Sequence, residues 1–569
     1  MSRIVFSISI LSILFLFSSC NSDPSADLIL YNGNIYTVNE AMQTASSIAV
    51  KDGKILEISG DNLLEKYKSS TPETIDLRGA FTMPGFIEGH AHFSNLGKSL
   101  INLNFLKSKN WNEIVGMVAE KAKTLKPGQW IEGRGWHQEK WDESVERNVL
   151  GYPYHDELSA LTPDNPVILY HASGHGLFAN QKAMELAGIS IETPNPMGGE
   201  IVRDNNGNAI GVFEETAMRT IRQAYQNYLN GLDQKELDGF WYKGIALAEE
   251  ECLKKGITSF QDAGSLFEEI DRYKSLAENG ELDLRLWAMV RHSYDVLKDN
   301  IDGLPVINHG NNYFTCRAIK AAVDGALGSY GAWLLEAYND KPDFVGQNVS
   351  SIEELENIAN LAMKKDMQYC VHAIGDRGNR EVLDIMADMF KANPEKEDLR
   401  WRVEHAQHLN PDDIPRFKEM GVIASMQGIH CTSDAPFVEK RLGKWRAKYG
   451  AYVWKSLLDS GAKIANGTDA PVEDVDPIPS FYASVTRKRI DNGFEFFTEQ
   501  KMTRAQAVHS YTLGNAYAAF EEDQKGSLVE GKFADIVVLS QDLINCSDDD
   551  ILKTEVLYTI VDGKVKYKK

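Results

Sequence analysis

The chain has 569 residues, 43% hydrophobic and 25% charged, the balance of a soluble globular protein larger than one ordinary small domain. Its 60 Lys and Arg face 82 Asp and Glu, a formal net charge of −22. That excess of acid disfavours nucleic-acid binding, which needs basic surface to displace counterions, and no basic block or Walker-type glycine loop points to a nucleotide substrate.

In chain order, Arg3 supplies a short positive region, Ile4 to Phe17 is apolar apart from serines, and Phe17-Ser18-Ser19-Cys20 follows. This is a secretory pattern. Residues 1–20 resemble a bacterial lipoprotein signal, in which Cys20 is lipidated and becomes the mature N-terminus. The apolar run is shorter than the roughly 20 residues a membrane span needs, which ranks a transmembrane anchor lower. Residues 21–26 read as a tether. The expected location is the bacterial cell envelope, periplasmic or surface-facing, with the membrane met only through Cys20. The other cysteines, Cys252, Cys316, Cys370, Cys431 and Cys546, are odd in number with no C-x-x-C pair, so they read as packing residues rather than a disulfide framework or zinc ribbon.

Both ends of the chain read as short strands. Leu28-Ile29-Leu30-Tyr31 and Ile35-Tyr36-Thr37-Val38 flank a turn, and Ser47–Val50 with Ile55–Ile58 form a hairpin about Asp52-Gly53. Ala534–Leu539 and the hairpin Tyr558–Val561, Asp562-Gly563, Val565 have the same texture. Residues 27–80 with 525–569 are therefore expected to build one small β-sandwich. Residues 81–524 alternate strands with helical stretches, which argues α/β. The candidate strands are Phe81–Met83 leading to His90, Ile257–Asp262, Leu284–Val290, Ala318–Val323, Gln368–His372, Arg402–His405, Val422–Met426 and Lys463–Asn466. Such a count predicts a TIM-like (β/α)8 barrel with catalytic groups at the C-terminal strand ends. The long connection after the first strand, about residues 95–240, is expected to be an inserted lid.

The chemistry-bearing residues fall at those strand ends. His90 and His92 are two apart, so on a strand they share a side and reach one ion. Lys320 sits among alanines and valine on the fourth strand, where an ammonium is expensive to bury. It is either an ion-paired lysine or a lysine carboxylated by CO2, whose carbamate would bridge two metals. His372 ends the fifth strand, His405 the sixth, and Asp469 follows the eighth.

At this point the chain resembles the amidohydrolase superfamily, in its amidohydrolase-3 branch. The residues that carry the resemblance are Pro84-Gly85-Phe86-Ile87 before His90, Gly256-Ile257-Thr258-Ser259 with Gln261-Asp262-Ala263-Gly264, and Lys320 with Asp324-Gly325-Ala326-Leu327-Gly328-Ser329. Further on come His372-Ala373-Ile374-Gly375-Asp376, Glu404-His405-Ala406-Gln407, Ser425-Met426-Gln427 with His430, Gly467-Thr468-Asp469-Ala470-Pro471-Val472-Glu473, and Gly526-Ser527-Leu528-Val529-Glu530-Gly531-Lys532-Phe533-Ala534-Asp535. The resemblance implies a distorted barrel, a split β-sandwich and one or two divalent metals. His90, His92 and Asp469 would bind one ion, His372 and His405 the second, with carboxylated Lys320 bridging.

These residue types suit metal-assisted hydrolysis. A divalent ion, zinc by preference, lowers the pKa of water from about 15.7 towards roughly 7 and polarises a carbonyl. Asp469 is placed to take the proton and return it to a leaving nitrogen. His430 and His175 are candidates for orienting the carbonyl, or else outlying histidines. Trp136, His137 and Trp141 form either an aromatic wall or the insertion's own core. The leading expectation is a hydrolase of non-peptide, amide-type C–N bonds in a small molecule. A deaminase on the same scaffold and a catalytically silent solute-binding lipoprotein are the alternatives. Homo-oligomerisation is left open.

Overall fold

The computed structural model describes residues 25–39, 41 and 43–569; the signal at 1–20, the lipidation site Cys20 and most of the tether lie outside the described residues. Eight parallel strands form the centre: β1 (Phe86–Ala91), β2 (Ile257–Ser265), β3 (Arg285–Val290), β4 (Phe314–Ala322), β5 (Gln368–Ala373), β6 (Arg402–His405), β7 (Ile423–Gln427) and β8 (Ile464–Gly467). They are hydrogen-bonded in that order. Beyond the strand ends, Asp469 N–H donates to the His90 carbonyl and His92 N–H to the Ala470 carbonyl, both at 2.7 Å, so β8 returns to β1 and nearly closes a TIM-like barrel.

Most of these strands are buried along their whole length, as expected of a parallel sheet covered by helices. The covering helices carry local start and stop signals. Ser351 caps Ile352–Lys364 by accepting from the Glu354 N–H, and Phe267–Asn279 ends on Gly280 in the left-handed region at φ 71°.

The structure corrects the start of the first barrel strand. Phe81–Pro84, expected to lead into it, instead pairs antiparallel with Ile536–Leu539 and parallel with Asn34–Tyr36. The switch falls at Pro84-Gly85. Gly85 N–H donates to Asp535 O at 2.9 Å, and the next N–H, of Phe86, donates to Gly256 O at 3.0 Å. A Cβ on Gly85 would lie 2.2 Å from the Thr258 side chain, so only glycine lets the chain cross from one sheet to the other here.

Strands from both chain ends share one of the two outer sheets, and the other is built from the N-terminal end alone. The N-terminal sheet runs Lys54–Ser59, Ser47–Lys51, Leu28–Tyr31, Glu73–Asp76; the shared sheet runs Lys564–Lys568, Val556–Val561, Ile536–Leu539, Phe81–Pro84, Asn34–Tyr36, Thr44–Ala45. Leu30, Ile48, Ile75, Ile536, Val538 and Ile560 pack in one core. Between His92 and β2 the chain builds a further sheet that includes Ile131–Trp136, Val167–His171, Gly176–Ala179 and Ala209–Glu215. Trp136 packs there with Trp111, Tyr152 and Phe178, and Trp141 lies against them. These tryptophans are the core of that segment. His137 turns the other way, stacked on Phe437 at the cavity wall. Cys252, Cys316, Cys370 and Cys431 are buried free thiols, and Cys546 is half-buried and free. Among the described residues no helix is long and apolar enough to cross a membrane.

Candidate active site

A cavity of about 1120 Å³ opens at the C-terminal ends of the barrel strands, the face where such barrels place their chemistry. His92, Lys320, His372, His405, His430 and Asp469 line it, with His175 and Glu215 from the segment between β1 and β2.

His90 is fully buried on β1, and His92 follows one residue past its end. Their Nε2 atoms lie 3.7 and 3.3 Å from the same Asp469 Oδ1, so the two-residue spacing does bring both imidazoles to one carboxylate. Lys320 Nζ is 3.4 Å from His90 Nε2. The His405 ring lies 4.7 Å from His90 and 4.4 Å from His372, centroid to centroid, and His372 lies 5.1 Å from His175. Ligand-type atoms gather in two groups sharing Asp469, each within 4.8 Å: His90, His92, Asp469; and His405, His430, Asp469. His430 therefore stands among the metal-compatible donors, while His372 sits beside these groups rather than in them.

The rings are aimed by partners behind them. Glu404 contacts His90 Nδ1 and lies 2.7 Å from Arg402 Nε. Arg402 in turn donates to Gln261 Oε1 at 2.7 Å and to the Gly89 carbonyl at 2.8 Å, beneath the site. Gln427 donates through its amide to Ser425 O at 3.1 Å, which turns its Oε1 to His405 Nδ1 at 2.7 Å. That assigns the His405 proton to Nδ1 and leaves Nε2 as a lone pair facing the site. Glu88 accepts from the N–H groups of His90 and Thr468 at 3.0 and 2.9 Å and so ties β1 to the loop after β8. Backbone strain marks the same places: His405 and Asp469 have φ of 75° and 60°, left-handed values rare outside glycine.

Burial sets the charges. It pushes His90 down to about 4 and holds His92, His372 and His405 below the ordinary histidine value, so these rings are neutral and can act as ligands. It pulls Lys320 down to about 8. For Asp469 burial opposes ionisation, but interactions led by the hydrogen bond from His92 outweigh it and hold the carboxyl low. His175 goes the other way. Burial opposes its protonation, yet Glu215, 2.9 Å from Nδ1, raises its pKa above the usual value.

Sequence reasoning missed Glu215, Glu404 as the orienting group for His90, and the bracing role of Asp324. The Asp324 carboxylate accepts from the N–H groups of Ile374, Gly375 and Trp333 at 2.9, 2.7 and 2.8 Å, locking the loop after β4 onto the end of β5. Glu404 had a signal in the spacing Arg402-Val403-Glu404: strand residues two apart share a side, so the arginine and the carboxylate point the same way and can pair.

The comparisons agree with this architecture. The protein YtcJ of Bacillus subtilis is 31% identical over 550 residues, 95% of this chain and 99% of that protein. The N-substituted formamide deformylase of Arthrobacter pascens is 25% identical over 555 residues, 95% of this chain and 98% of the other. A metal-dependent hydrolase from Pyrococcus horikoshii superposes with a TM-score of 0.72 at 27% identity, covering 92% of this chain and 99% of that one. The model of the amidohydrolase family matches residues 73–567, and the chain is a hydrolase belonging to that family, in its amidohydrolase-3 branch.

Proposed function

We propose that this hydrolase cleaves a non-peptide, amide-type C–N bond in a small molecule, with Asp469 as the proton shuttle. The observation that carries the reading is the position of Asp469, a carboxylate shared by both groups of imidazole donors at the wall of the cavity. The deformylase relative acts, by its name, on N-substituted formamides, which supports an amide-type bond.

The residues fit a divalent metal. His372 Nε2 and His430 Nε2 are buried with no hydrogen-bond partner among the described residues, and neutral imidazoles with a carboxylate are the donor set that zinc takes. His90, His92 and Asp469 would hold one ion, and His405 a second with Asp469 and His430, whose donor atoms group with it, while His372, adjacent to His405, would complete that second set. When bound, the ion supplies Lewis acidity, polarising the carbonyl and acidifying water. Lys320 would lie between the two ions as a carbamate. Its depressed pKa keeps a fraction of neutral amine, whose nitrogen bonds to the carbon of CO2 and gives up a proton to solvent, leaving an anion.

Asp469, held ionised, accepts a proton from the attacking water and passes it to the leaving nitrogen, because an amine leaves readily only when protonated. His175, kept protonatable by Glu215, donates to the carbonyl oxygen as charge develops there. The protein acts at the cell envelope, tethered through Cys20.

The test is elemental analysis of the soluble protein starting after Cys20, paired with amine- and ammonia-release assays on N-formyl and N-acyl compounds. About two equivalents of metal with amine release is expected, dependent on bicarbonate during metal loading. Asp469→Asn should abolish turnover while the fold persists. Turnover that survives D469N removes the shuttle, absence of metal under replete conditions removes the site, and ammonia in place of an amine makes the protein a deaminase.

A further inference from the structure

The charges on the cavity wall are unevenly matched. Lys98 pairs with Glu132 at 2.8 Å and Lys140 with Glu473 at 2.9 Å. Glu269 and Glu354 accept from the backbone N–H groups of Leu266 and Tyr294 at 2.9 and 2.7 Å. Arg134, Arg219, Arg222 and Arg291 line the same cavity, none of them paired with a carboxylate among the described residues, and Arg134, Arg222 and Arg291 are the three whose charges bear on one another or on the reacting centre. In a chain of net charge −22, carboxylates are the commoner partner. Three of these guanidinium groups, unpaired and close to the reacting centre, mark a place for an anion from outside.

Each of these three arginines is held in position by something other than a counter-charge. Arg291 is the first residue after β3, at the catalytic end of the barrel. Its side chain lies over Gly264 of β2, which has φ 142° and where a Cβ would meet Arg291 Cδ at 2.9 Å. Arg134 donates from Nε to the Pro471 carbonyl at 3.1 Å and from Nη2 to the Ala172 carbonyl at 2.9 Å, which fixes it beside the Asp469 loop with N–H groups to spare. Arg222, on the helix Met218–Leu229, lies over the Tyr170 ring at 5.2 Å. The positive charge of Arg222 bears on both Arg134 and Arg291, and that of Arg291 bears on Lys320 and His372. Arg222 thus repels both of the others at the edge of the reacting centre, and an oxyanion placed beside it relieves that repulsion through charge-assisted, fork-shaped hydrogen bonds. Lys98 and Lys140, already paired, have no such vacancy.

We propose that the substrate is an N-acyl or N-formyl compound bearing an oxyanion group, carboxylate or phosphate, close to the scissile C–N bond, and that Arg134, Arg222 and Arg291 receive that group. The proposal rests on the amide-hydrolysis reading of the same site and names its substrate class.

The experiment uses the metal-loaded protein and three matched probes: N-formylglycine, its methyl ester, and N-formyl-aminomethylphosphonate. Binding is measured by calorimetry and amine release in parallel. The carboxylate or phosphonate should bind about tenfold or more tighter than the ester, with an advantage that shrinks as salt rises. The preferred anion decides between the two sources. Arg222→Met should bring the anionic probes towards the ester, and Arg222→Lys, which keeps the charge but not the fork, should fall between. An ester bound as tightly as the acid, or an acid advantage unchanged in a folded R222M protein, overturns the proposal. The two readings fail separately: anion-selective binding without amine release from any probe defeats amide hydrolysis alone, and release from all three without preference defeats the anion site alone.

Discussion

Glu215 and His175 stand at the ends of two strands of the inserted sheet, with Oε2 2.9 Å from Nδ1, and the carboxylate keeps the imidazole basic in a place where burial would strip its proton. Backbone ties them as well, since Glu215 N–H donates to the His175 carbonyl at 3.0 Å.

Glu215→Gln keeps the shape and removes the charge. With its partner gone, His175 gives up its proton at lower pH than in the parent. If the protonated ring donates to the substrate oxygen, activity is present below its pKa and lost above it, so the alkaline limb of the kcat profile moves to lower pH in E215Q. Superimposable pH profiles for parent and variant would show that His175 does not act as a cation.

Gly331→Ala tests the seat of the same carboxylate. A Cβ at Gly331 would lie 2.1 Å from Glu215 Oε1, and one at Gly325 would lie 1.9 Å away. Alanine at 331 therefore displaces the carboxylate and unpairs His175. The expected loss is on the order of 10²-fold in kcat, with an overpacking cost of about 1–3 kcal/mol. Full activity in G331A would mean that Glu215 has another place to go.

Glu404→Gln addresses metal affinity. The Glu404 carboxylate contacts His90 Nδ1 and is itself held by Arg402 at 2.7 Å. Substituting a neutral amide should weaken metal binding about 10–100-fold, as outer partners of ligand histidines commonly do. Competition with a chelator of known affinity measures it, and equal affinities would reduce Glu404 to a packing role.

Asp535→Ala concerns stability rather than chemistry. Arg285, at the start of β3, reaches Asp535 with Nε at 2.8 Å and Nη2 at 3.2 Å, and both side chains are buried. Removing Asp535 leaves the buried guanidinium only the half-buried Asp562, 3.2 Å from Nη2, so the cost should approach the lower end of the about 3–5 kcal/mol that breaking a buried pair costs. Denaturant unfolding should show this loss, and a change under 1 kcal/mol, the range of an exposed pair, would mean that the bridge contributes little.

Much of the barrel was legible because its signals are local. Strand residues two apart share a side, so His90-Ala91-His92 announced a pair of convergent imidazoles. His372 stood near the end of a short, mostly apolar run and His405 at the end of Arg402-Val403-Glu404-His405, both of which are strands in the structure. The error at Phe81–Pro84 has a physical source: a buried sandwich strand and a buried barrel strand read alike, and only the hydrogen bonds on either side of Pro84-Gly85 tell them apart.

The sequence by itself determined the fold class, the order of the histidines, lysine and aspartate at the strand ends and the family, since each depends on spacing along the chain and on residue type. Tertiary structure alone decided which far-apart groups meet. Glu215 rests on Gly331, Arg134 reaches the carbonyl of Pro471, and Glu88 spans to Thr468. Burial decided the charges, because the same histidine or lysine is cationic or neutral according to how much water and which partners surround it, and spacing along a chain carries neither.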